Sequence, residues 1–148
     1  MVFKLRIFLV LIVFAFQMDQ LKSQIKLDDV SLVMIGNNTG YDKLSKSKMN
    51  QFFNGKYNRW PNNKNVLVVL PSSNHKMVEL YSNVIYKKSF YSVKKYWFSL
   101  VFQGRFDPPH FFDSDQEIID FVRINKGAFA VVRDSTDVPI ELRIEIVN

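Results

Sequence analysis

Apolar positions along the chain fall into short blocks separated by polar turn formers, and the spacing inside each block predicts an element. Ser31 to Ile35 reads as a buried strand, ended by the turn-rich loop Gly36-Asn37-Asn38-Thr39-Gly40. Ser45 is placed to cap a helix over Lys46 to Phe53, with Met49, Phe52 and Phe53 inward at spacings of three and four and Gly55 as the stop. Val66-Leu67-Val68-Val69-Leu70 is short, apolar and mostly β-branched, the pattern of a strand buried on both faces, and Pro71 ends it.

The second half continues the alternation. Ser72-Ser73-Asn74 offers caps for a helix to about Tyr86, with Val78, Tyr81, Val84 and Ile85 inward. Ser92 to Phe102 predicts a further helix with Val93, Trp97, Leu100 and Val101 on one stripe and Gly104 at its end. Ser114-Asp115-Gln116-Glu117 is a capping box opening a helix that carries Ile118, Ile119 and Val122 and closes at Gly127. Ala128 to Val132 is another apolar strand. Ile140, Leu142, Ile144 and Ile146 alternate with charged residues, as in a half-buried edge strand. Strands alternating with helices predict an α/β domain with a mostly parallel sheet flanked by helices.

The N-terminus departs from this pattern. Lys4 and Arg6 precede the unbroken apolar run Ile7 to Phe16, and a polar stretch from Gln17 to Gln24 follows. That is the layout of a signal peptide, which we place at residues 1–23, with residues 24–148 as one domain. Ten apolar residues rise only about 15 Å as a helix, roughly half a bilayer core, so no spanning segment is expected after cleavage.

Composition adds three constraints. The 148 residues include 14 Phe and no Cys, so an exported domain would rest on core packing without disulfides, and thiolate chemistry is excluded. Formal charge is +6, and losing residues 1–23 leaves about +4, spread along the chain with only Lys87-Lys88 and Lys94-Lys95 as pairs. Such a surface attracts small anions or a membrane, whereas nucleic acid would call for a denser stripe. His75 and His110 are the only histidines, and neither has ligands at metal spacing, so no metal or other cofactor is expected.

Three blocks carry a resemblance: Phe52-Phe53-Asn54-Gly55-Lys56-Tyr57-Asn58-Arg59-Trp60-Pro61; Tyr96-Trp97-Phe98-Ser99-Leu100-Val101-Phe102-Gln103-Gly104-Arg105 with Pro108-Pro109; and Asn125-Lys126-Gly127-Ala128-Phe129-Ala130-Val131-Val132. Over roughly Val30 to Val132 their order and spacing resemble the small, single-lobe relatives of periplasmic phosphate-binding proteins, of the type 2 periplasmic binding fold. The resemblance implies an exported, non-catalytic solute-binding protein of the periplasm. Its ligand would be a small anion, phosphate by family expectation. One lobe leaves a bound ion half in water, so binding would be weak unless a partner or second copy supplied the other wall.

Under that resemblance the Ser-Gly-Thr phosphate loop falls on Leu70-Pro71-Ser72-Ser73-Asn74, and the implied anion site is Ser72, Ser73 and Asn74 with Thr39, Gly40 and Arg105. The loop lacks the family's Gly and Thr, has Leu70 where a basic residue is frequent, and Pro71 has no N–H. Ordinary helix capping explains Ser73 and Asn74 equally well. Gly127-Ala128-Phe129-Ala130-Val131 likewise replaces the family's G-A-I-G-Y. No Gly-x-Ser-x-Gly, phosphate loop or cysteine nucleophile is present, so no enzyme is expected. The alternative is an accessory module that lost the ligand and binds another envelope protein through the aromatic turn around Tyr57 and Trp60.

Overall fold

The computed structural model describes residues 30–135 and 137–147; the expected signal peptide lies outside them. In chain order the elements are β1 (Leu32–Gly36), β2 (Lys43–Ser45), α1 (Lys46–Phe53), β3 (Leu67–Pro71), α2 (Val78–Tyr86), α3 (Phe90–Phe102), β4 (His110–Phe112), α4 (Asp115–Ile124), β5 (Ala128–Arg133), a single 3₁₀ turn (Ile140–Leu142) and β6 (Arg143–Val147). The six strands form one sheet in the order β2-β6-β1-β5-β3-β4. β3 runs parallel to β4 and β5, and β2 parallel to β6, while β1 is antiparallel to both its neighbours, β5 and β6. The fold is α/β with a mixed, mostly parallel sheet. No helix among the described residues is long and apolar enough to cross a membrane.

Alternation along the central strands divides the core in two. Met34, Val68, Leu70, Phe129 and Val131 point to one face, where they meet the aromatic side chains of α1, α2 and α3. Ile35, Val69, Ala128, Ala130 and Val132 point to the other, against Ile118, Ile119 and Val122 of α4. The large rings (Phe52, Phe53, Tyr81, Trp97) fill the face with three helices; small alanines let the single helix α4 come close on the other.

Local signals explain most boundaries. Ser45 Oγ accepts from Lys48 N at the start of α1, and Gly55, at φ +63°, turns the chain after it. Ser114 Oγ accepts from Glu117 N, while the Glu117 carboxylate accepts from Asp113 N, so the expected capping box opens α4.

Three expectations are corrected. The helix after Pro71 begins at Val78 and has no side-chain cap, because the intervening residues close turns of their own. Ser72 Oγ accepts from Asn74 N, and His75 Nδ1 accepts from Met77 N. α3 starts at Phe90, two residues early, because Ser89 rather than a later residue supplies the capping hydroxyl to Ser92 N. The last strand is not at an edge. Ile140 is exposed at the start of the 3₁₀ turn, and β6 is inserted between β1 and β2, with Ile144 buried beside Met34. The edges are instead the three-residue strands β2 and β4, which no apolar run announces.

Candidate functional site

β3, β4 and β5 are parallel and end side by side at Pro71, Phe112 and Arg133. Ligands of open α/β sheets gather outside such carboxyl ends. This end carries Ser72, Ser73, Asn74 and His75 after β3, Asp113 and the N-terminus of α4 after β4, and Arg133 closing β5.

Its polar groups are organised around two carboxylates. Ser72 Oγ donates to Asp113 Oδ1 and accepts from Asn74 N, which fixes the first hydroxyl of the loop. Asp115, only 15% exposed, accepts from Tyr81 Oη at 2.7 Å and from Arg133 Nε at 3.1 Å. His75 is buried, and its Nε2 lies 3.2 Å from Asp115 Oδ1. Nε2 has no aligned hydrogen-bond partner there.

These surroundings set the charge states. Burial alone would raise the Asp115 carboxyl. The neighbouring His75, Tyr81 and Arg133 outweigh it and hold the group below the ordinary carboxylate range. Burial first, and the Asp115 charge second, push the Tyr81 phenol far up, so it remains a donor. The exposed Arg133 is held in its charged form by Asp115. One acid is therefore neutralised by Arg133, while Asp113 and the exposed Glu117 stay at the rim.

The six residues expected to bind an anion do not come together. Because β1 is antiparallel to β5, its carboxyl end sits at the start of β5, with Gly36 paired to Phe129. Thr39 and Gly40 therefore lie at the opposite end of the sheet from Ser72, Ser73 and Asn74. Thr39 is buried and makes only a local turn with Tyr41, and Gly40, at φ +78°, packs beside Asn62.

Arg105 is at that opposite end too. It lines a polar groove of about 400 Å3 with Asn58, Arg59, Asn65 and Asp107, near the start of β3. The aromatic turn is likewise turned inward: Trp60 is 2% exposed and donates through Nε1 to Gly127 O at 2.8 Å.

Sequence reasoning missed Arg133, Asp113, Asp115, His75 and Tyr81 as members of one cluster. Arg133 left a usable signal as the first charge after a buried apolar strand. Asp113 and Asp115 were masked by the capping box that they adjoin, and Tyr81 by its place on the apolar stripe of α2.

No family model matches the chain, and no characterised protein matches its sequence. The fold is an α/β architecture with a mixed, mostly parallel sheet. Among solved structures it is similar to an ABC-type phosphate transport receptor from Vibrio cholerae, at 12% identity and a TM-score of 0.56, over 79% of this chain and 46% of the receptor. The chain thus spans less than half the receptor's length, and at this identity the likeness is one of fold.

Proposed function

We propose that this protein is a non-catalytic, solute-binding-like protein that takes a small oxyanion of the phosphate class at the carboxyl end of β3, β4 and β5. The observation that carries the reading is the meeting of Ser72, Ser73, the first turn of α4 and Arg133 at that end, in a fold shared with a phosphate transport receptor. Hydroxyls, first-turn amides and a guanidinium are the donors an oxyanion requires. Asp113 beside Ser72 repels a bare dianion but accepts from a protonated one, so phosphate is favoured over sulfate. A single wall leaves the ion partly solvated, and affinity is weak unless a second wall closes over it. Export to the periplasm through residues 1–23 is the matching location.

Isothermal titration of phosphate and of sulfate tests this. Saturable phosphate heat that Ser72→Ala/Ser73→Ala and Arg133→Gln each remove, with sulfate silent, is the expected result. A folded protein giving no heat at millimolar phosphate would sink it. That outcome favours the second reading, an accessory module, for which one observation speaks: the outer face of α3 exposes Tyr91, Phe98 and Phe102.

A further inference from the structure

Helix α3 has two aromatic stripes. Phe90, Val93, Trp97 and Leu100 face inward and are buried. At about 100° per residue, Tyr91, Lys95, Phe98 and Phe102 fall together on nearly the opposite side. Tyr91, Phe98 and Phe102 are 76%, 55% and 88% exposed. An inward stripe is what packing demands; a second one held in solvent has no use inside the domain.

Charge along α3 itself has one sign, although the Glu79 carboxylate accepts from Phe90 N at its start. From Leu80 to Phe106 the chain contains no Asp or Glu, while Lys87, Lys88, Lys94, Lys95 and Arg105 supply five positive groups. Lys94 Nζ lies 5.6 Å from the Phe90 ring centroid at the flank of the stripe, whereas Lys88 Nζ lies 5.2 Å from that of Tyr96, whose hydroxyl donates to Asn54 O on another side of the helix. Two copies meeting face to face would bring these lysines together uncompensated. Aromatic side chains projecting between lysines complement a surface that is anionic outside and apolar just beneath, which is the interface of an anionic bilayer.

We propose that the outer face of α3 docks the protein on an anionic lipid surface, with Phe98 and Phe102 entering the interface, Tyr91 at headgroup level and Lys94 and Lys95 against lipid phosphates. This goes beyond the oxyanion reading and does not depend on it. The docking face uses none of the side chains of the oxyanion site, so either reading can fail alone.

The test is partitioning of the full chain, below saturation, onto vesicles of phosphatidylcholine with and without phosphatidylglycerol. The expected result is preference for the anionic vesicles. Phe98→Ser/Phe102→Ser should lower partitioning at least about tenfold, and Lys94→Gln/Lys95→Gln should lower it about fivefold per lysine. All these positions are at the surface, and unchanged circular dichroism confirms the fold. In Phe98→Trp, anionic vesicles should shift the new emission to the blue, and brominated lipid should quench it. Equal partitioning onto both vesicle types, or equal partitioning of wild type and the Phe98/Phe102 variant, overturns the proposal. A concentration-dependent dimer abolished by the same variant overturns it in favour of a second copy. Binding to an acidic helical peptide without vesicle binding overturns it in favour of a protein partner.

Discussion

The two ends of the sheet are built on different principles. Where β3 and β5 begin, the chain is stitched shut. Trp60 Nε1 holds Gly127 O, Gly127 N donates to Asn37 O, and the Asn37 amide donates to the carbonyls of Val122 and Arg123 at the end of α4. Where β3, β4 and β5 end, ionisable and hydroxyl side chains cluster around Asp113 and Asp115, with Ser73, Asn74, Asp113 and Arg133 in water over the mostly buried His75, Tyr81 and Asp115. The aromatic and glycine blocks of the sequence lie mainly at the closed end and in the core: Gly55, Trp60, Gly127 and Phe129 are all buried. The loop from Pro71 to Asn74 is at the open end. Packing therefore accounts for those blocks, and they say little about a ligand.

The contrast can be broken most sharply at Gly127. Its φ is +89°, and a Cβ there would sit 2.1 Å from the Asn65 carbonyl oxygen. Gly127→Ala combines a strained backbone with a clash against main chain, so a loss of about 3 kcal/mol or more in urea unfolding is expected. A wild-type midpoint would show that the closed end yields easily. Trp60→Phe removes the bond to Gly127 O and leaves a gap beside Phe52 and Phe129; a loss of about 2 kcal/mol is expected.

At the open end the effects are smaller and depend on pH. Asp115 is held below its ordinary value in the folded state. Its carboxylate thus contributes stability above the unfolded value of about 4, and that contribution is lost as pH falls through the folded value. Asp115→Asn should be less stable at neutral pH and lose less on acidification to about pH 3, read from urea midpoints at both pH values. Arg133→Gln, whose guanidinium is mostly solvent-screened, should cost at most about 1 kcal/mol. If Asp115→Asn retained the wild-type acid sensitivity, the cluster would have no electrostatic role.

How much was legible in the sequence follows the same division. β1, β3 and β5 and the starts of α1 and α4 were readable because each has a strong local cause: an apolar, β-branched run, Ser45 as cap, the Ser114–Glu117 box. The register of β1 was not, because strand direction is decided by long-range pairing and leaves no mark in Ser31 to Ile35. That one unknown separated Thr39 and Gly40 from Ser72. The interior position of β6 was hidden for a related reason. Alternation announces a half-exposed strand but not its neighbours, and only Ile144 of this strand is buried.

The placement of β6 also has a temporal consequence. β2 pairs only with β6, and β1 gains its second neighbour only from β6. Until Arg143–Val147 has paired, the sheet is two unjoined pieces. Joining them closes some of the longest loops in the sheet, so it comes late and slowly in folding.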